Sequence, residues 1–274
     1  MSQTNYYRSL LRASAERRSP KRAMQGEIRR KVARVLVATR FQQPPTDLNS
    51  VARYLGVEAI RLTTLSMRGR LLLENGGDVI VEINNGLPRL RQRQVLAHEL
   101  AHLLLEPDRL SKSATLGRAV RVEHTWQFQR LEEKCEQAAS ELLIPTDWLL
   151  AHQPTNLSQA AAQANAADVD LELFVTRLVD LSIWQGERLW WITDSLPYRL
   201  VRSYPPWDDD FLARVTIDAE AEALISAAKG SQIHETGSLR AIVQGDSVDY
   251  RAEALKLGDG FVLLRLHAGP AAPN

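Results

Sequence analysis

The sequence predicts an α+β protein: a larger part in which helices surround a short mixed sheet, then a smaller strand-rich part. Three observations lead there. From residue 25 to 183 apolar residues recur mostly at helical spacing, interrupted by three short strand-like runs. Beyond Gly186 they fall into alternating or short runs separated by turn residues. The 274 residues, 45% hydrophobic and 24% charged, suffice for one large domain or two small ones. The chain therefore reads as a basic arm (1–24), a main domain (25–183) and a strand-rich C-terminal domain (184–274).

The elements follow in order. Ile28, Val32, Val35 and Leu36 keep helical spacing from about Gln25 to Thr39, and the turn-rich stretch 42–45 ends that helix. Asp47 is placed to cap a short helix to Leu55, with Gly56 as its stop. This resembles the first half of a helix-turn-helix, but 58–65 reads as a strand where a recognition helix is needed. Strands at 69–74 and 79–84 are joined by Asn75-Gly76-Gly77-Asp78, residues that tolerate positive φ. A helix starting near Pro88 to Arg91 ends before Pro107, and a polar connection runs to about His124.

The next helix spans 127–143, with Leu131, Cys135, Ala138, Ala139, Leu142 and Leu143 on one apolar face and Pro145 beyond it. One or two more helices fill 147–182, burying Leu171, Phe174, Val175, Leu178 and Val179. In the C-terminal part, strands are expected at 189–193, 200–203, 241–243 and 261–266, with one helix at 218–229.

The formal charge is +1, but residues 1–40 hold 11 Lys/Arg against 2 acids, +9, which leaves −8 for the rest. A basic arm on an acidic body suits an acidic partner surface, nucleic acid or the protein's own body. Direct nucleic-acid binding is disfavoured, because the excess is confined to the arm. The single cysteine excludes an internal disulfide. With no apolar signal-like stretch near Met1, it argues for a reducing cytoplasmic location. No uncharged apolar run approaches the roughly 18 residues of a membrane span.

The most informative motif is His98-Glu99-Leu100-Ala101-His102. On a helix, residues four apart project from one face, so both imidazoles can reach one ion while Glu99 lies beside them. Every other position from Val95 to Leu105 is apolar, the composition of a buried helix. Two imidazoles and a carboxylate buried without a partner would cost several kcal/mol, and a dication removes that cost. Zinc suits this donor set, with manganese as the alternative metal.

A catalytic zinc takes three protein ligands and leaves a position for water. Asp108 stands six residues after His102, where a ligand following a glycine turn would fall, but the turn position is Leu105. Glu132 and Glu136 share one face of the downstream helix. Glu132 is expected as the third ligand and Glu136 as acceptor for the distal N–H of a ligand histidine. Cys135 reads as a small buried residue, the alternative being a thiolate beside zinc that acts as a redox brake. With His98, His102 and Glu132 on the metal, the bound water is the nucleophile and Glu99 its general base. The oxyanion-stabilising group is unassigned between His124 and Arg121.

The segments Val95-Leu-Ala-His-Glu-Leu-Ala-His-Leu-Leu-Leu105 and Glu132-Glu-Lys-Cys-Glu-Gln-Ala-Ala-Ser-Glu-Leu-Leu-Ile-Pro145 resemble the paired motifs of the ImmA/IrrE metallopeptidases, H-E-x-x-H and E-x-x-A-[ND]-x-F-A-A-x-L-L-M-P. The resemblance covers about residues 25–180. Cys135, Glu136 and Ala138 depart from the family's Ala, Asn/Asp and Phe. It implies a zincin-like fold, Glu132 at the position of the family's leading glutamate, and site-specific cleavage of a small helix-turn-helix repressor in a stress response or mobile element. In some members a GAF-like sensory domain follows, by analogy the region after 186. The contrasting reading is a zinc-stabilised module that sequesters a repressor without cutting it, or an antitoxin-type partner. An intact Glu99 weighs against it, since a purely structural site has no use for a general base.

Overall fold

The computed structural model describes residues 18–74, 77–106, 126–184, 188–193, 200–204, 223–227, 235–243, 246–256 and 261–268. They fall into two compact units. One is built from the residues up to Leu149 with Ala167–Val169, the other from Leu150–Ala166 with the residues from Asp170 onward. The mixed α+β class expected from the sequence is what the structure has.

In the first unit, helix α1 (Arg18–Thr39) buries the four residues that predicted it, Ile28, Val32, Val35 and Leu36. It begins seven residues earlier than the apolar spacing indicated, because its first two turns are polar and give no periodic signal. Helix α2 (Leu48–Tyr54) is capped as expected: the Asp47 carboxylate accepts the Asn49 N–H and the Ser50 hydroxyl, at 3.0 and 2.6 Å. Gly56, at φ +81°, turns the chain out of it.

Three strands follow, β1 (Val57–Thr63), β2 (Gly69–Leu73) and β3 (Val79–Asn84), ordered β1-β3-β2. β3 pairs parallel to β1 and antiparallel to β2, so the sheet is mixed. The central strand carries the buried residues Ile80, Val81 and Ile83. Residues 75 and 76 of the expected hairpin turn lie outside the described residues, and Gly77 takes φ +95°.

Helix α3 (Arg89–Leu105) packs on β2 and β3 on one side and on α4 (Trp126–Leu143) on another. Val95, Leu96, Ala97, Leu100, Ala101 and Leu103 are buried. Each fully buried leucine contributes about 1.5–3 kcal/mol. Its first turns carry Arg89 and Arg93, a sign that opposes the helix dipole. Asp168 offsets this: Arg89 grips its carboxylate with both nitrogens, Arg93 lies 3.5 Å away, and both hold the Asp168 carboxyl below its usual range. Arg93 also donates to the Thr46 carbonyl, anchoring α3 beside the start of α2.

Helix α4 buries the predicted face Leu131, Cys135, Ala138, Ala139, Leu142 and Leu143. It ends where Glu141 turns back to accept the backbone N–H and hydroxyl of Thr146, at 2.9 and 2.6 Å. Thr146 opens α5 (Thr146–Ala151).

In the second unit, α6 (Leu157–Ala166) and α7 (Leu171–Asp180) bring the helices of 147–182 to three, where the sequence suggested one or two. Phe174, Val175 and Leu178 are buried as expected, but Leu171 and Val179 are only partly so. The strands β4 (Arg188–Thr193), β5 (Leu200–Tyr204), β6 (Glu235–Val243), β7 (Asp246–Lys256) and β8 (Phe261–Ala268) form an antiparallel sheet ordered β5-β4-β8-β7-β6. β7 is an addition to the strands read from the sequence, and of the expected helix 218–229 the described part is helical at 223–227.

A buried ion pair ties this sheet to its helices. Glu253 and Arg265 are cross-strand neighbours on β7 and β8, 3.2 Å apart. Glu253 also accepts the Leu157 N–H at the start of α6, and Arg265 donates to the Thr155 carbonyl, both at 2.7 Å. The guanidinium lies over the Trp184 ring at 3.6 Å, and the indole N–H donates to the Pro154 carbonyl. No helix among the described residues is long and apolar enough to cross a membrane.

Candidate metal centre

Two helices build the site. α3 supplies His98, Glu99 and His102, and α4, packed against it, supplies Glu132 and Cys135. Both imidazoles present Nε2 to the same point. His98 Nε2 is 3.1 Å from Glu132 Oε2, His102 Nε2 is 3.4 Å from Glu132 Oε1, and the two Nε2 atoms are 3.2 Å apart. One donor atom from each of the three residues lies within 4.8 Å of the others. The rings meet edge to face, their planes 79° apart.

Two imidazole nitrogens and a carboxylate converging on one half-buried point are a donor set suited to a borderline dication such as zinc. A neutral imidazole pair brought nose to nose at 3.2 Å needs a proton or a cation between the lone pairs. The residues present therefore fit a metal ion.

Glu99 projects from α3 toward the sheet and is 9% exposed. Burial first, and then the negative charge of Glu132, push its carboxyl up to about 7. Beside it runs Gly69 at the start of β2: a Cβ there would lie 3.3 Å from Glu99 Oε1 and 2.4 Å from Val95 Cγ1. The strand backbone thus approaches the histidine helix as closely as a glycine allows. Sequence reasoning missed Gly69, since it read only as the first residue of a strand.

The expected role of Glu136 is corrected by the structure. The inward face of α4 passes through Leu131, Cys135, Ala138 and Leu142, which leaves Glu136 exposed, as Glu133 also is. The side chain that reaches a histidine's distal nitrogen is Cys135, fully buried, with Sγ 3.3 Å from His102 Nδ1. From Glu132 the third residue onward, not the fourth, falls against α3. Asp108, Arg121 and His124 lie outside the described residues.

No curated protein matches the chain. Among solved structures, a Mycobacterium tuberculosis transcriptional regulator is similar, with a TM-score of 0.54 at 12% identity over 89% of this chain and 76% of that one, a likeness of fold. A family model, the IrrE N-terminal-like domain (Peptidase M78), matches residues 52–178, a stretch that contains both motif helices. Residues 52–178 thus match the IrrE N-terminal-like domain of the Peptidase M78 family, the same family that the two motifs resemble.

Proposed function

We propose that this protein is a zinc-dependent endopeptidase that cuts a helix-turn-helix transcriptional repressor at a specific site, controlling a stress response or a mobile element. The observation that carries the reading is the convergence of His98, His102 and Glu132, with the buried carboxylate of Glu99 on the same helix. His98, His102 and Glu132 would hold the ion, with manganese as the alternative to zinc. When bound, such an ion supplies Lewis acidity, polarising a carbonyl and bringing the pKa of a water toward about 7.

The chain's own contribution is proton transfer and orientation. Glu99 takes the proton of the attacking water and returns it to the leaving amine. In the metal-free site burial raises this carboxyl, which makes it a stronger base than an exposed glutamate. Helix packing fixes the imidazoles before substrate arrives, so little reorganisation is left for the reaction.

The repressor as substrate is supported by the match to this family and by the fold shared with a protein named a transcriptional regulator. The strand-rich C-terminal part then serves recognition or sensing, and the reaction takes place in the cytoplasm, where such repressors act. The alternative, a zinc-stabilised module that sequesters a repressor without cutting it, has the same fold and ligands. Incubating zinc-loaded protein with repressors encoded beside its gene, and mapping fragments by mass, separates the two. Fragments with one defined cut that disappear with Glu99→Gln support the peptidase, whereas tight binding without fragments overturns it.

A further inference from the structure

We propose that Cys135 is a positioning residue for His102, holding the ring so that its Nε2 lone pair faces the metal point. The inference rests on the metal-centre reading and deepens it. Both histidines turn Nε2 toward Glu132, so the outward atom of His102 is Nδ1, and the Cys135 sulfur lies 3.3 Å from it. A neutral imidazole that offers Nε2 as a lone pair carries its proton on Nδ1. That proton then points at the sulfur, which accepts it.

The sulfur is held firmly. Cys135 is fully buried on the inward face of α4, between Leu131 and Ala138, one helical turn from Glu132. The same helix that brings the carboxylate to the ion therefore also orients a histidine from the other helix. With its Nδ1 facing a buried sulfur at 3.3 Å, the ring loses free energy when that partner is removed. Partners in this role are ordinarily carboxylates, carbonyls or water, which also raise the basicity of the ring. A thiol is a weaker acceptor. Cys135 accordingly fixes orientation and tautomer while adding little electron density, and its removal belongs at the low end of the 10- to 100-fold loss typical of such partners.

The test compares zinc affinity, by competition with a chromophoric chelator, with the His102 Nδ1 proton resonance of zinc-loaded protein. The variants are Cys135→Ala, Cys135→Val and Cys135→Ser. Alanine and valine, which lack an acceptor but differ in volume, are each expected to lower zinc affinity about tenfold and to move the Nδ1 resonance upfield. Serine restores a hydroxyl acceptor and is expected to recover most of both. Affinity unchanged in the alanine and valine variants, equal loss in all three, or a resonance that stays in place overturns the proposal. Wild-type protein that takes up no zinc overturns the metal centre itself, an outcome distinct from zinc-binding wild type with indifferent variants.

Discussion

A methyl group placed on Gly69 would lie 3.3 Å from the Glu99 carboxylate and 2.4 Å from Val95 Cγ1, so the strand and the histidine helix meet with no room between them. Gly69→Ala is expected to displace Val95, whose branched side chain has few alternative rotamers. Overpacking of this kind costs about 1–3 kcal/mol. Because the added Cβ would also abut Glu99 Oε1, peptide cleavage should fall about tenfold or more while zinc content holds. Parallel metal analysis and cleavage assays check this; loss of zinc in step with activity would contradict it.

Glu99→Gln removes the proton acceptor and leaves all three ligands in place. Cleavage is expected to drop by about 10²- to 10⁴-fold with zinc stoichiometry unchanged. A variant that still cuts at the wild-type rate excludes Glu99 as the base.

The elevated Glu99 carboxyl makes the metal-free protein pH-sensitive. In the unfolded chain the group loses its proton near 4.5, but in the folded protein near 7. Between these values the native state binds more protons, so its stability falls as the pH rises. The whole window amounts to about 3 kcal/mol. Urea titrations of chelator-treated protein from pH 4.5 to 7 should show this slope, and Glu99→Gln should flatten it.

Glu132→Ala removes one of three ligands and should release most of the metal. Glu136→Ala changes an exposed side chain and should leave affinity within experimental error of wild type. Chelator competition on both variants decides, and a 10-fold or larger loss for Glu136→Ala would restore the role the sequence suggested for it.

In the second unit, Arg265→Met should cost about 3–5 kcal/mol, because it leaves the Glu253 charge buried without its partner. Adding Glu253→Gln to that variant should recover part of the loss. Thermal melting of the single and double variants reads the difference, and an additive double variant would show that the pair is not coupled.

The sequence by itself determined what depends on neighbours along the chain. Apolar spacing located α1, α3 and α4 and their buried faces, Asp47 marked the cap of α2, and four-residue spacing put His98 and His102 on one side of a helix. Glu132 was legible as a candidate through the second motif, whose leading glutamate it matches. Tertiary packing alone decided the rest. Whether Cys135 or Glu136 reaches His102 depends on the rotation of α4 against α3, a matter of one residue's angular step that periodicity does not resolve. β7 was missed because Arg251 and Glu253 look like surface residues, yet Glu253 is buried against a partner twelve residues away. Gly69 gains its meaning only when β2 lies on the histidine helix, since a residue without a side chain shows its purpose only in what stands where a Cβ would be.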